Sequence, residues 1–150
     1  MAQSLSKIYT HLVFSTKNRT HTLPKQRLAD VHAYVAGILN ELKCPAVCVG
    51  GTTDHIHILY LQNRTMALAD TVRVVKSSSS KWINAQNGPL HPFCWQDGYG
   101  AFSISNGHVD AVVNYIRNQE EHHRRFSFQD EFRKICRQCG VEFDERYVWE

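Results

Sequence analysis

Apolar and polar positions follow two periods along the chain, and these periods predict an alternation of strands and helices. Residues 7–15, KIYTHLVFS, are rich in β-branched and aromatic side chains and predict a first strand, followed by a polar, basic loop at 16–19. Behind Pro24, apolar residues recur at helical spacing as far as Leu42, which predicts a first amphipathic helix. Pro45 then ends that helix.

The sequence AVCVGGTTDHIHILYL, residues 46–61, contains two apolar runs separated by the turn-rich GGTTD. These runs predict a second and a third strand that are antiparallel neighbours. Thr65 is the predicted cap of a second helix that extends towards Ile83 and stops at Asn87-Gly88-Pro89. Residues 98–105, GYGAFSIS, predict a fourth strand.

The C-terminal part predicts two more helices. One is capped by Ser105 or Asn106 and runs to about His122, and the other runs from Ser127 to about Cys139. The order β-α-β-β-α-β with appended helices predicts a ferredoxin-like α+β fold, an antiparallel sheet with helices on one face, in a single domain over residues 1–150. This fold hosts many functions, so it does not name one.

Composition narrows the class of protein only modestly. Hydrophobic residues are 43% and charged residues 21% of the 150, an ordinary globular balance that excludes disorder and a coiled coil. The N-terminal stretch does not resemble a signal sequence, and no run approaches the roughly 20 apolar residues of a membrane helix, so the expected location is cytoplasmic. The net charge of +3 permits nucleic-acid binding without demonstrating it.

Five cysteines, an odd number in a chain with no export signal, are predicted to be reduced thiols. Cys136 and Cys139 have the spacing of half a zinc site. Because no second matching pair exists, a structural role is the favoured interpretation.

The first candidate chemistry lies on the third strand. Side chains alternate between the faces of a strand, so His55 and His57 are expected to project together from the face opposite Ile56 and Ile58. Two adjacent imidazoles are a natural start for a divalent-metal site. In a chain with nine histidines, a pair of solvent-facing histidines is the alternative.

The third helix strengthens the metal hypothesis. At about 100° per residue, Tyr115 and Gln119 fall on one flank of its apolar stripe, one turn apart. If the helix packs beside the open face of the sheet, Gln119 can offer its amide oxygen to a metal held by the two histidines, and Tyr115 then lies near a bound phosphate. These ligands leave coordination positions of the metal open for a phosphate, an arrangement that suits Mg²⁺ or Mn²⁺ in phosphoryl transfer. A core-edge tyrosine and a solvated glutamine are the alternatives.

With both motifs in this order, the sequence resembles the single-tyrosine HUH transposases of small bacterial insertion sequences, including those associated with repetitive extragenic palindromes. His55-Ile56-His57, preceded by Asp54, matches the histidine motif, and residues 115–119, YIRNQ, match the nucleophile helix. The segments STKNR, WQDGY and QEEHHRRFSFQDEF extend the likeness over nearly the whole chain.

The resemblance implies a nuclease that cuts single-stranded DNA at element ends. Tyr115 would attack a phosphate to leave a 5′-phosphotyrosine and a free 3′-hydroxyl, which later rejoins strands, while His55, His57 and Gln119 hold the metal. It also implies recognition of DNA hairpins and a homodimer in which one chain's tyrosine helix can complete the other chain's site. Asp54 and His122 are possible supporting residues, and no general base is identified.

Several basic residues are candidate phosphate contacts, because Lys and Arg supply most of the affinity for the nucleic-acid backbone. They are Lys17, Arg19, Arg73, Lys76, Arg117, Arg124 and Arg125. Acidic residues at 120, 121, 130 and 131 interrupt this set, so a solvated mixed-charge face is the alternative. His122 and His123 are expected at the surface, with a role beside the site as the second interpretation.

Two other functions compete with transposition. The nearer is another HUH enzyme, a replication initiator or a relaxase-like nickase, which shares the chemistry and serves another process. The more distant is a non-catalytic nucleic-acid-binding ferredoxin-like domain, in which aromatic residues such as Tyr9 and Phe14 stack bases on the sheet.

Overall fold

The computed structural model describes residues 2–87 and 92–150. Its sheet has four strands, β1 (Tyr9–Ser15), β2 (Ala46–Gly51), β3 (His55–Leu61) and β4 (Gly100–Ile104). They lie in the order β2-β3-β1-β4, and each neighbouring pair is antiparallel. The predicted ferredoxin-like order of elements is confirmed.

One face of the sheet carries the main core. Two helices, α1 (Leu28–Glu41) and α2 (Leu68–Asn87), cover that face. The central strands and these helices meet through fully or almost fully buried side chains, among them Leu12, Phe14, Ile56, Ile58, Val35, Leu39, Val72 and Val75. Each such apolar side chain contributes about 1.5–3 kcal/mol on burial, so this layer holds the sheet and the two helices together.

The other face is also covered, which corrects the expectation of helices on one face only. It packs against α3 (Val109–Arg117), α4 (Gln119–His122) and α5 (Phe128–Gln138). Apolar side chains gather there in a second, smaller cluster, Val13, Phe102, Phe128, Phe132 and Cys136. The face of β3 that carries His55 and His57 is therefore covered by the C-terminal helices.

The ends of two predicted helices are corrected. The third helix stops at Arg117, because Asn118 leaves the helical conformation at φ −99° and ψ 20°, and α4 begins after it. Asparagine is a weak helix former that favours helix ends. The second helix begins at Leu68 and not behind Thr65, whose main-chain N–H and hydroxyl donate to Asn63. The stop predicted at Gly88 and Pro89 lies outside the described residues.

The last helix matches its prediction closely. Ser127 caps α5 by accepting a hydrogen bond from the main-chain N–H of Asp130, and Gly140 adopts the left-handed conformation just after the helix, at φ 66°. Cys136 is buried in the apolar cluster and Cys139 is exposed, and all five cysteines are free thiols. Among the described residues, no helix has the length and apolar character needed to span a bilayer.

A row of four residues crosses the histidine face from edge to edge. The strand register aligns Gly50, His57, Val13 and Gly100 on β2, β3, β1 and β4. A Cβ atom at Gly100 would lie 2.7 Å from Cε2 of Phe132 on α5, and one at Gly50 would collide with Ile116 on α3. The edge glycines therefore let both helices approach the sheet on either side of His57.

Candidate active site

His55 and His57 share the face of β3 that is opposite to the main core, where the strand alternation predicts them. Both side chains are completely buried, with 0% exposure. The interpretation of a solvent-facing pair is therefore wrong. The C-terminal helices cover the two rings and bring further polar groups against them.

The ring of His55 is held from behind. Its Nδ1 lies 2.7 Å from Oδ1 of Asp54, which also accepts a hydrogen bond from the hydroxyl of Thr52. A carboxylate on the rear nitrogen fixes the ring and its tautomer, as in many metal-binding histidines. With the hydrogen on Nδ1, the lone pair of Nε2 faces Oε1 of Gln119 at 2.9 Å. Two acceptors that face each other are the arrangement expected of ligands to a shared cation.

The ring of His57 is held in a similar way by a residue that the sequence interpretation missed. Its Nδ1 lies 2.8 Å from Nε2 of His11 on β1, and its Nε2 lies 2.8 Å from Oε1 of Glu131 on α5. His11 was predictable in principle, because alternation along β1 places it on the same face as Val13. It orients His57 so that Nε2 points to the same space as Nε2 of His55.

Tyr115 and Gln119 meet at this site from two helices and not from one continuous helix. Tyr115, on α3, donates its hydroxyl hydrogen to Oε2 of Glu131, and Gln119, the first residue of α4, donates from its side-chain amide to the same oxygen at 3.1 Å. The rings of Tyr115 and His57 have centroids 5.6 Å apart. One chain therefore brings Tyr115 to its own histidines.

Glu131 is the residue that sequence reasoning missed most completely. It is only 3% exposed, and the interpretation as part of a solvated mixed-charge face is wrong for this residue. The available signal was its place between Phe128 and Phe132 in the apolar stripe of α5. An acidic side chain on the buried face of a helix requires a partner within the protein.

His122 and His123 differ in their positions. His123 is partly buried, and its Nε2 lies 3.0 Å from Oε1 of Gln119 and 3.2 Å from Oε1 of Glu131, so the expectation of a surface position is wrong for it. His122 keeps partial exposure and stacks on Phe126, with ring centroids 5.1 Å apart. The structure therefore brings His123 closer to the histidine pair than His122.

The charges within the site are set by burial and by Glu131. Burial alone would raise the pKa of Glu131, but hydrogen bonds from His123 and His57 outweigh it and hold that pKa well below its ordinary value. Burial, together with the nearby carboxylate, raises the pKa of Tyr115 above its ordinary value. Burial lowers the pKa of His57. The site therefore combines an ionised carboxylate with a protonated phenol.

The donor atoms fit a divalent metal ion. His55, His57, His123 and Glu131 each offer one ligand atom, and these atoms all lie within 4.8 Å of one another. The amide oxygen of Gln119 lies beside them, 2.9 Å and 3.0 Å from the Nε2 atoms of His55 and His123. Imidazole nitrogens with carboxylate and amide oxygens are ordinary ligands of divalent ions.

The basic candidates do not share one environment. The ammonium group of Lys76 donates to the main-chain carbonyls of Gln96, Asp97 and Gly98 at 2.7, 3.0 and 2.7 Å. An ammonium group has three N–H donors, and these three carbonyls occupy all of them. The assignment of Lys76 as a phosphate contact is therefore corrected. Of the other six that the sequence singled out, Arg19 is partly buried and five are exposed: Lys17, Arg73, Arg117, Arg124 and Arg125.

Two cavities border the site and share the ring of Phe126, which is 52% exposed. The first, of about 380 Å³, is lined by Tyr115, Glu131 and His122 together with apolar residues of β4, α3 and α5. The second, of about 480 Å³, is lined by Arg19, Asp54 and His123. The buried cluster is therefore approached from the tyrosine side and from the His123 side.

Comparisons with known proteins agree with this architecture. The family model described as "Transposase IS200 like" matches residues 4–119. A solved structure from Deinococcus radiodurans R1, provisionally described as a transposase, is 20% identical with a TM-score of 0.62, covering 79% of this chain and 98% of its own. A REP-associated tyrosine transposase bound to a REP hairpin is 12% identical with a TM-score of 0.57, covering 82% of this chain and 74% of its own. No curated protein sequence matches the chain.

Proposed function

The chain belongs to the IS200-like transposase family, and we propose that it cleaves and rejoins single-stranded DNA with Tyr115 as the nucleophile. The observation that supports this most directly is the position of the Tyr115 hydroxyl. It donates to Glu131, whose other carboxylate oxygen lies 2.8 Å from Nε2 of His57. A phenol held against a histidine cluster supports a role for Tyr115 as the nucleophile of phosphoryl transfer.

The proposed reaction is an exchange of ester bonds. The phenolic oxygen of Tyr115 attacks the scissile phosphorus and the bond from phosphorus to the 3′ oxygen breaks. This leaves a 5′-phosphotyrosine and a 3′-hydroxyl. The phenolic proton passes to Oε2 of Glu131, the acceptor that it already meets in the structure, and the departing 3′ oxygen takes up one proton, so the exchange involves no net gain or loss of protons. Attack by a 3′-hydroxyl on the phosphotyrosine reverses these steps and rejoins strands without an external energy source.

We propose that His55, His57 and Gln119 hold Mg²⁺ or Mn²⁺. When bound, such an ion polarises a phosphate oxygen and stabilises the negative charge that develops during transfer. Asp54 and His11 act on the rear nitrogens of the two histidines and keep both Nε2 atoms directed at the common space. Their proposed role is to position the ligands.

The cavities supply the proposed path for DNA. Phe126 separates them and offers an exposed ring on which an unpaired base can stack, and Arg19 lines the second cavity as a partner for a backbone phosphate. We propose hairpin-forming element ends as the substrate, since a structural neighbour is described as bound to a hairpin. Tyr115 and Gln119 meet Glu131 within one chain, and a homodimer in which one chain's tyrosine helix completes the other chain's site stays a prediction.

The test is a covalent adduct. End-labelled single-stranded DNA carrying a hairpin is incubated with the protein and Mn²⁺ and then separated on a denaturing gel. We expect a slowly migrating protein–DNA band that chelation of the metal prevents and that is absent in Tyr115→Phe. Tyr147→Phe, which changes an exposed tyrosine away from the site, is the matched control. An undiminished adduct in Tyr115→Phe would remove this residue from the reaction.

A further inference from the structure

Glu131 lies outside residues 4–119, the part of the chain that the family model matches, yet it is at the centre of the cluster. It is carried by α5, which is placed by the apolar contacts of Phe128 and Phe132 with the histidine face. The C-terminal helix therefore brings an acidic side chain to a site whose other members come from the matched residues or from His123.

The two oxygens of Glu131 face different groups. Oε1 lies 2.8 Å from Nε2 of His57, 3.2 Å from that of His123 and 3.6 Å from that of His55. Oε2 accepts the hydrogen of Tyr115 and a hydrogen bond from the amide of Gln119. One oxygen is thus directed at the histidines and the other at the nucleophile candidate.

The charge of Glu131 has no permanent counterion among the described residues. Its ion-pair distances are to four histidines, at 2.8 to 3.6 Å, and to no lysine or arginine. A carboxyl group that is 3% exposed is costly to bury unless its oxygens have compensating partners. A divalent cation between Oε1 and the Nε2 atoms would be such a partner.

We propose that Glu131 is a ligand of the metal ion, so that α5 adds an anionic oxygen to the set formed by His55, His57 and Gln119. Its second oxygen keeps its hydrogen bond to Tyr115 and links the metal site to the nucleophile. This inference rests on the proposed function, because it takes the histidine cluster to be a metal site.

The test measures Mn²⁺ binding in the absence of DNA. Binding is detected as a loss of the electron paramagnetic resonance signal of free Mn²⁺. We expect Glu131→Gln to weaken Mn²⁺ binding at least tenfold. Glu142→Gln, which removes the same charge from an exposed residue beyond α5, should match the wild type. His55→Ala tests the histidine site itself and should also lose binding.

The outcomes separate the two hypotheses. Unchanged or tighter binding in Glu131→Gln, with binding lost in His55→Ala, overturns the role of Glu131 and leaves the histidine site standing. Undiminished binding in His55→Ala, or none in the wild type, overturns both. If Glu131→Gln does not fold, Glu131→Asp decides, because it keeps the charge and withdraws the carboxylate by one methylene. We expect Mn²⁺ to raise the melting temperature of Glu131→Asp less than it raises that of the wild type. An equal rise in the two proteins contradicts the proposal.

Discussion

Gly50 on β2 lies directly against Ile116 on α3. A Cβ atom at Gly50 would come within 2.7 Å of the main-chain oxygen of Ile116 and 2.8 Å of its Cγ2. Gly50 is also the cross-strand partner of His57, and Ile116 follows Tyr115 in the chain. The close contact between these two residues therefore sets how near Tyr115 comes to the histidines.

Replacing Gly50 should disturb both stability and cleavage. In Gly50→Ala the added methyl group must push α3 away from β2, and overpacking of this kind costs about 1–3 kcal/mol. We expect a lower unfolding free energy in urea and slower adduct formation, because Tyr115 moves with the helix. Gly37→Ala is the control, since its methyl group meets nothing within 4 Å. A Gly50→Ala protein with wild-type stability and rate would show that this contact does not position Tyr115.

The order and pairing of the strands follow from local patterns, and for that reason the sequence predicts them well. Each strand shows an apolar run with turn residues at its ends. The short GGTTD turn between β2 and β3 favours their antiparallel pairing. The helix boundaries are less predictable. Asn118 is a polar residue inside a helical pattern that extends to about His122, and the interruption of the helix there is seen in its backbone angles, φ −99° and ψ 20°.

The site is predictable only where its residues are close in sequence. His55 and His57 share a strand, and Tyr115 is four residues from Gln119, so periodicity groups them. His11 and Glu131 reach the cluster through the strand register and through the docking of α5. Contacts between such distant segments leave no spacing to read. For His11 the signal was the alternation along β1, and for Glu131 it was an acidic residue within an apolar stripe.

Phe126 should contribute to binding of single-stranded DNA. Its ring is 52% exposed and borders both cavities, and stacking of a base on an aromatic side chain contributes about 1–3 kcal/mol. We expect Phe126→Ala to weaken binding of a labelled oligonucleotide by that amount in fluorescence anisotropy. Tyr147→Ala, an exposed aromatic residue that lines neither cavity, should bind as the wild type does. Equal losses in the two variants would argue against stacking at Phe126.

Lys76 should act in folding and not in DNA binding. Lys76→Met leaves three main-chain carbonyls without their donor, and an unsatisfied polar group costs about 1–3 kcal/mol. We expect a lower unfolding free energy with an unchanged salt dependence of DNA affinity. Arg73→Gln, on an exposed position of α2, should change stability by no more than about 0.5 kcal/mol. A smaller salt dependence in Lys76→Met would restore the lysine as a phosphate contact.

His32 on α1 should make the fold sensitive to acid. Burial, with a smaller effect of His55, lowers the pKa of His32 from 6.5 to about 4. The unfolded chain therefore binds the proton first, so the stabilisation is complete above pH 6.5 and is lost as the pH falls towards 4. We expect urea titrations to show a smaller loss of unfolding free energy over this range in His32→Gln. His108→Gln, at an exposed position, should keep the wild-type slope, and an equal slope in His32→Gln would contradict the assignment.

Peptide mapping of the adduct shows whether Tyr115 becomes joined to DNA. The protein is incubated with single-stranded DNA and Mn²⁺, digested with nuclease and trypsin, and fragmented in a mass spectrometer. The peptide that contains Tyr115 also contains Tyr99, so the fragment ions decide between them. We expect a nucleotide attached through its 5′ phosphate to Tyr115 alone. A nucleotide attached to any other residue, with Tyr115 unmodified, would contradict the proposed mechanism.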